Sequence, residues 1–550
     1  MMPRQRRILE GALRFALRRS AVDWLAWLVL ALIMGGAVVH SRMYRGVEVE
    51  EAFGAFRQAM NLVHARGFSC SAFRRVEGTT SPLFALLLVL PTGIGADPYA
   101  VAQTFGTLAF ALCCLIVYLV VRSCLADRWS HLLGLAAAVV VASSPTLAHD
   151  SQTGMPTTVG ACVVSVALWL HLRSRQAERR PPIAWAATLG LAALLTPESV
   201  VLFFVVLVVS VAWQIRAPGT WQRAGRELAA FAAIWIPWPV FRGAYFGNWI
   251  PHLVAPAPGP VAPTIDASPH TILGLLAQGA GTEMLTKYVT DHALGTGLLA
   301  GTLLLVRTRY AGLLVVVTTL SCVALVTWRG EGSLLHDQLL ALCIAPLAAG
   351  MALGLRGLLF HEEQQTRYGH FPSVLAALAA LAFVFSETQT IPVPGERSSD
   401  LTGMKELGLR LAAITRRDDL VVSELAGPLP YYWGASTVDL HGACGIDARG
   451  KVSSAAAPTD WEPIVAGRPS WYAFESARSA ARFYGLPAFG PYRGEYYLLQ
   501  YPYGYLSSDA IALPTLLIRK DRPDVDQAAK TLGLNLVDVG QELRRTGFLR

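Results

Sequence analysis

Long apolar runs flanked by arginines constrain this chain before anything else does. Residues 23–40, 98–122, 131–148, 157–172, 183–196, 199–215, 227–244, 293–306, 310–328, 339–355 and 371–387 each read as a membrane-spanning helix. A helix needs about 20 mainly apolar residues to cross a hydrocarbon core of ~30 Å, and several of these runs approach that length. Pro82–Leu90 is equally apolar but too short to cross, and reads as a helix lying on the membrane surface. Composition agrees. Apolar residues make up 53% of the chain and charged residues 15%, against about a quarter charged in soluble domains, and mean hydropathy is +0.42. The net charge of +8 does not point to nucleic acid. Its arginines sit at the ends of the apolar runs, where they set orientation, and no basic, aromatic-interleaved stripe is present.

Those arginines orient the spans. Arg4, Arg6, Arg7, Arg14, Arg18 and Arg19 precede the first run, and no small-residue cleavage site follows it. This reads as a basic cytoplasmic stretch and a retained first span, not a removed signal. The short loops assigned to the cytoplasm hold Arg122 and Arg128; Arg173, Arg175, Arg179 and Arg180; Arg216, Arg223 and Arg226; Arg307 and Arg309; Arg356 and Arg367. The short opposite loops, 149–156 and 197–198, hold no Lys or Arg. Eleven spans starting inside leave the tail outside. The turn at Pro197-Glu198 decides this parity, because one broken span there would reverse it.

Two parts follow: a transmembrane module, 1–387, with a first outer loop at 41–97, and an extracytoplasmic domain, 388–550. In the second part, helical patterns at 402–416, 476–484 and 523–533 alternate with strand candidates Leu420–Glu424, Trp471–Glu475, Tyr496–Tyr501 and Thr515–Arg519. This predicts a small α/β domain. Six of the eight cysteines (Cys113, Cys114, Cys124, Cys162, Cys322 and Cys343) fall in or beside spans, and only Cys70 and Cys444 lie in exposed segments. No spacing suggests zinc. A Cys70–Cys444 disulfide is one reading; two unpaired small hydrophobes is the one favoured here.

Ionisable groups are expensive at membrane depth, so their placement is informative. On this topology the unusual ones gather at the outer side: Glu48, Glu50 and Glu51; His149 and Asp150; Glu198; Arg242, Tyr245 and His252; Glu331, His336 and Asp337. Each alone reads as an ordinary polar loop residue. The set reads as one pocket. Adjacent carboxylates such as Glu50-Glu51 repel, which raises one pKa unless a cation intervenes. Such a pair serves as a general base, as oxygen ligands for a divalent metal, or merely as a solvated acidic turn.

The stretch Glu50-Glu51-Ala52-Phe53-Gly54-Ala55-Phe56-Arg57, then Asn61-Leu62, Gly67-Phe68 and Arg75-Val76-Glu77-Gly78-Thr79-Thr80-Ser81-Pro82-Leu83, resembles the first outer loop of bacterial GT-C glycosyltransferases. The nearest pattern is that of arabinofuranosyltransferases that use a polyprenyl-phosphate donor. Ser151–Met155, Pro197-Glu198, Arg242–Gly247 with Pro251-His252, Leu429–Gly434 and Asp439–Gly442 resemble further motifs of that family, in order. The resemblance covers most of the chain. It departs where the family's Asp-Asp is Glu50-Glu51, its Met-Glu is Met155-Pro156, and its Gly-Gly-Asp is Gly330-Glu331-Gly332, with Gln338 near the family's Arg position.

The resemblance implies a helical polytopic membrane fold of about 11 spans in a bacterial inner membrane. It also implies transfer of a sugar from a polyprenyl phosphate to a glycan, lipid or protein acceptor, with inversion. Glu50 or Glu51 is then the base, with Glu50 favoured as the first of the pair. Arg242 is the first candidate to meet the donor phosphate, since Arg offers planar bidentate donors, with His252 and Lys287 behind it. Arg242 reads equally well as an interfacial anchor. Glu77 would position the acceptor or pair with Arg74 or Arg75; Glu198 would line the site or favour a helix start; Tyr431, Tyr432 and Trp433 would stack on a glycan or fill a core. Two other classes stand beside the enzyme: a lipid-linked sugar transporter, and a relative whose altered motifs have lost catalysis and which binds glycans or scaffolds other proteins.

Overall fold

The computed structural model describes residues 21–46, 49, 52–70, 75, 77–125, 130–176, 183–247, 249, 342, 344, 348, 349, 352, 398–416, 419–425, 427–434, 436–439, 465–474, 477–500 and 514–545. The expected spans 293–306, 310–328 and 371–387 lie outside these residues, as does most of 339–355, of which Leu342, Ile344, Ala348, Ala349 and Ala352 are helical and buried.

The membrane module runs α1 (Ala21–Met43), α2 (Ala52–Val63), α3 (Pro82–Gly93), α4 (Pro98–Cys124), α5 (Ser130–Ala142), α6 (Pro145–Asp150), α7 (Thr157–Gln176), α8 (Ile183–Ala193), α9 (Ser199–Gln214), α10 (Thr220–Trp235) and α11 (Pro237–Phe246). Among the described residues, Val22–Met43, Pro98–Cys124 and Thr157–Ser174 are long and apolar enough to cross a membrane. The sequence sets the starts. Asp97 caps α4 by accepting from the Tyr99 amide, with Pro98 in the first turn, and Ser144 with Pro145 does the same for α6. Proline at a first helical position gives up an amide that has no partner there anyway.

Two expected spans are interrupted. Residues 131–148 divide into α5 and α6 at Ser143-Ser144, and 227–244 divides at Pro237, which has no amide to continue the ladder. The tight pair 183–196 and 199–215 does form two helices packed on each other. In 41–80, expected to be polar, residues 52–63 form a helix whose Phe53 and Phe56 are fully buried.

Phe110, Tyr118, Trp185, Phe203 and Phe231 fill the bundle interior. Apolar side chains such as Leu25, Leu32, Val39 and Val208 face outward, an arrangement a bilayer accommodates and water does not. Trp24, Trp213 and Trp221 are exposed at one end and Trp249 at the other, as interfacial tryptophans are in membrane proteins. Cys70 is disulfide-bonded, which overturns the expectation of an unpaired thiol. The other described cysteines are free, so its partner lies outside the described residues.

The C-terminal part is the expected α/β domain. It contains α12 (Ser398–Ile414), β1 (Leu420–Ser423), α13 (Pro428–Trp433), β2 (Ser436–Asp439), β3 (Trp471–Phe474), α14 (Ala477–Gly485), a 3-10 stretch (Pro487–Glu495), β4 (Tyr496–Gln500), β5 (Thr515–Arg519), α15 (Val525–Leu532), β6 (Asn535–Asp538) and α16 (Val539–Arg545). The sheet order is β2-β1-β3-β5-β4-β6. β2, β1 and β3 are parallel, and the remaining pairings are antiparallel. Alternation along the strands gives two cores. Val421, Trp471, Leu499 and Leu516 join α12, α13 and α15 on one face, while Val422, Tyr472, Leu498 and Leu517 join α14 and α16 on the other. A buried ion pair, Arg522–Asp419, braces one end.

Candidate functional site

The end of the bundle that the sequence assigns to the outer face is where distant segments meet. Helix α2 presses on residues 77–79 so closely that a Cβ on Gly54 would lie 1.8 Å from the Gly78 carbonyl oxygen. A Cβ on Gly78 would in turn lie 2.6 Å from Cys70 Sγ. Glycine at both positions is what lets these backbones touch. Asn61 Nδ2 donates to the carbonyls of Ser69 (2.8 Å) and Cys70 (3.2 Å), closing the turn after α2.

This packing sets Glu77 against α11. Its Oε2 accepts from Arg242 Nε at 2.9 Å and Nη2 at 2.7 Å, and both residues are 3% exposed. Arg242 Nη1 also donates to the Trp249 carbonyl at 3.4 Å. Burial pushes the Glu77 carboxyl above its ordinary range; the charge and hydrogen bonds of Arg242 pull it back without cancelling that rise. Two residues before Glu77, Arg75 places its guanidinium carbon 4.7 Å from the Tyr245 ring centre. The Arg-Val-Glu-Gly segment is thus fastened to α11 twice, by an ion pair and by a cation–π contact.

A second constellation surrounds the loop after α6. Gln152 Nε2 donates to Ser41 Oγ (2.6 Å) and Thr107 Oγ1 (2.8 Å), and Gln103 Nε2 donates to Tyr99 Oη (2.8 Å) and the Gln152 carbonyl (3.0 Å). The network ties α1, α4 and this loop together. It fixes Asp150, which is 5% exposed. Asp150 Oδ1 lies 3.2 Å from His149 Nδ1, and its buried Oδ2 has no hydrogen-bond partner among the described residues. Glu198 is buried at the start of α9, and the turn before it is tied to α3 through the Leu83 amide and Leu194 carbonyl at 3.2 Å.

The C-terminal domain docks at this same end. Tyr431 lies 5.4 Å from Phe53 and 6.1 Å from Phe56, ring centre to ring centre, and Tyr432 lies 6.5 Å from Phe53. Lys405 pairs with Asp97 at 3.6 Å and sits over the Tyr432 ring at 4.8 Å. Trp433, by contrast, is inside the domain, bonded to Thr415 Oγ1 at 2.6 Å and edge-on to Trp471. The three aromatics therefore divide between an interface and a core.

Of the residues singled out from sequence, Glu77, Arg242 and Tyr245 are joined through one segment, with Arg242 as a partner of Glu77; Arg74 lies outside the described residues. Asp150 and Glu198 lie at the same end. Glu48, Glu50, Glu51, His252, Lys287, Glu331, His336 and Asp337 lie outside the described residues; Glu50-Glu51 leads directly into α2. Sequence reasoning missed Gly54, Phe53, Phe56 and Lys405, and took Arg75 only as a partner for Glu77, although apolar spacing along 52–63 already marks an amphipathic helix. A divalent ion would need several converging oxygens. Among the described residues no group of three His, Cys, Asp or Glu side chains offers them.

This arrangement of a helical bundle and a docked α/β domain is similar to solved structures. ArnT from Cupriavidus metallidurans, solved bound to undecaprenyl phosphate, is similar at a TM-score of 0.53 and 15% identity, over 90% of this chain and 98% of that one. The same protein in its apo state gives 0.53 at 13% identity. The archaeal oligosaccharyltransferase AglB from Archaeoglobus fulgidus, in complex with an inhibitory peptide and a dolichol-phosphate, gives 0.52 at 13% identity, over 88% of this chain and 74% of that one. At such identity the likeness establishes the fold. No family profile and no curated protein matches the chain.

Proposed function

We propose that this chain is a GT-C glycosyltransferase of a bacterial inner membrane. It moves a sugar, with arabinofuranose the candidate, from a polyprenyl-phosphate donor to a hydroxyl of a glycan, lipid or protein at the outer face. The observation that supports this most is the convergence of the first outer loop, the 150–154 loop, α11 and the C-terminal domain at one end of the bundle. The fold around them is shared over 90% of the chain with a protein solved with undecaprenyl phosphate bound.

In this reading Glu50 or Glu51 takes the proton of the acceptor hydroxyl as its oxygen attacks the anomeric carbon. The bond from that carbon to the phosphate oxygen breaks on the opposite side, and polyprenyl phosphate leaves. Asp150, with its second carboxylate oxygen uncommitted among the described residues, accepts from a sugar hydroxyl. Glu77 and Arg242 work on each other: their pair holds the base-bearing loop against α11. Glu50-Glu51 would also supply oxygen ligands to a divalent metal, and no step depends on it.

The test is incubation of the purified protein with a panel of polyprenyl-phospho-sugars, reading release of polyprenyl phosphate. Glu50→Gln and Glu51→Gln should differ sharply, one losing about 10²–10⁴ in turnover. A double variant with full activity refutes the assigned base. No release by the native protein with any donor favours the relative that has lost catalysis, to which Pro156 and Gly332 point.

A further inference from the structure

The bundle carries a second charged surface, at the end opposite the candidate site. Helix α9 starts at the Glu198 turn and runs 16 residues, which at 1.5 Å per residue carries its far end about 24 Å away. There the chain reverses into α10. Residues 214–226 hold Arg216, Arg223 and Arg226 and no Asp or Glu, and all three arginines are exposed.

The reversal is pinned. Thr220 Oγ1 shares its proton between the Gln214 carbonyl (2.7 Å) and the Ala217 carbonyl (2.8 Å). Arg223 Nη1 donates to Gln214 Oε1 at 3.0 Å, and Arg226 Nε to the Gln222 carbonyl at 3.4 Å. Each of these guanidinium groups is steadied by one neutral oxygen and keeps further N–H donors. Among the described residues none of the three arginines forms an ion pair. Glu227, placed four residues after Arg223 where an acid would pair with it, is instead 4% exposed and accepts from Trp185 Nε1 at 3.3 Å inside the bundle. Arg223 and Arg226, three apart on one helix, repel each other, so an anion between them is favoured. Around them Trp213, Ile215, Trp221 and Leu228 expose apolar surface, Trp221 to 70%. Tryptophan beside arginine suits the boundary between hydrocarbon and headgroups, and charge complementarity selects the occupant there.

We infer that residues 213–226 form a binding site for an anionic phospholipid in the leaflet opposite the candidate site. Arg216, Arg223 and Arg226 meet its headgroup phosphate, and Trp213, Ile215 and Trp221 lie along its acyl chains. On the orientation read from the sequence this is the cytoplasmic leaflet. Orienting a span requires only that arginines be charged; fixing them in place with unpaired donors adds recognition of a headgroup. The inference is independent of whether the chain transfers a sugar.

The test is lipid retention by the detergent-solubilised full chain, titrated with dioleoylphosphatidylglycerol or dioleoylphosphatidylcholine and read by native mass spectrometry. The native protein should hold the anionic lipid at least roughly tenfold more tightly than the zwitterionic one. An arginine near a membrane surface contributes about fivefold in affinity for an anionic headgroup. Arg223→Gln and Arg226→Gln should therefore each weaken phosphatidylglycerol about fivefold, and the triple variant with Arg216→Gln about a hundredfold, with phosphatidylcholine unchanged. Trp221→Ala should weaken both lipids alike. Arg122→Gln, a charge removed from another loop assigned to that face and paired with Asp23 at 3.8 Å, should change neither. If loss of three arginines disturbs insertion, the single variants decide, since either alone must show its loss. Equal weakening by Arg122→Gln and Arg223→Gln would mean diffuse attraction to any basic residue and overturn the site. Displacement of the lipid by inorganic phosphate would make this a free-anion site and overturn the lipid assignment. A native protein with no preference for phosphatidylglycerol defeats the inference and leaves the transferase reading standing.

Discussion

Gly54→Ala is a sharp test of how the site is assembled, because two effects of opposite sign compete. Within a helix, alanine is favoured over glycine by about 1 kcal/mol. Against this, the new methyl would sit 1.8 Å from the Gly78 oxygen, while carbon–oxygen contacts rarely close below about 3.3 Å. The clash is with backbone, so no rotamer relieves it, and either α2 or residues 77–79 must move by more than an ångström. Overpacking a tight interior costs about 1–3 kcal/mol, and this contact belongs at the upper end, so the steric effect wins. Gly403→Ala, in α12 with nothing within 4 Å of the added Cβ, isolates the other effect and should leave stability unchanged or raise it by up to about 1 kcal/mol. Thermal unfolding in detergent should therefore place the Gly54 variant below native and the Gly403 variant at or above it. Donor turnover should fall in the Gly54 variant only, because Glu77 and Arg75 ride on the displaced segment. A Gly54→Ala protein with native midpoint and turnover would refute the packing argument.

Further outcomes follow from the same structure. Arg242→Met leaves Glu77 buried without its cation. A carboxyl whose folded pKa lies above the unfolded one contributes stability below the unfolded value of about 4.3 and loses it as pH rises through the folded value, so this variant's midpoint should drop from pH 5 to pH 8 relative to native. Asp419 behaves oppositely. Burial works to raise its pKa, but bonds from the Arg416 amide and Arg522 hold it below the ordinary range. Its contribution is present above about 3.9 and is lost as pH falls from there through the lower folded value, so Asp419→Asn should cost about 1–3 kcal/mol at pH 7 and progressively less in acid below that, read from midpoints. Reduction of the Cys70 disulfide should lower the native midpoint by an amount corresponding to roughly 2–4 kcal/mol. A reporter active only in the cytoplasm, fused after Arg550, should stay silent.

What the sequence disclosed and what it withheld differ in kind. The strands Leu420–Ser423, Trp471–Phe474, Tyr496–Gln500 and Thr515–Arg519 fell where apolar and aromatic runs placed them, because a buried strand writes its burial into consecutive residues. β2 and β6 were not anticipated. Each has only four residues at a sheet edge, too few for a pattern. Membrane runs were legible by length, but the breaks at Ser143-Ser144 and Pro237 were hidden inside apolar stretches that hydropathy reads as continuous. In the site, Glu77 and Arg242 were each noticed, yet not as a pair, since 165 residues separate them and no local pattern couples such positions. Arg75 was read only as a candidate partner of Glu77, because the Tyr245 ring it meets lies far along the chain.

The cystine at Cys70 also dates the chain's maturation. The cysteines outside the described residues, Cys322, Cys343 and Cys444, all come roughly 250 residues or more after it, so the bond closes only when most of the polypeptide has been synthesised. Such bonds form and persist where thiols are oxidised, not in the cytoplasm. Membrane insertion alone therefore yields an unfinished protein, with Gly78 resting on a thiol still awaiting its partner. On the proposed topology, that closing step falls to the oxidising compartment outside the membrane, after insertion is complete.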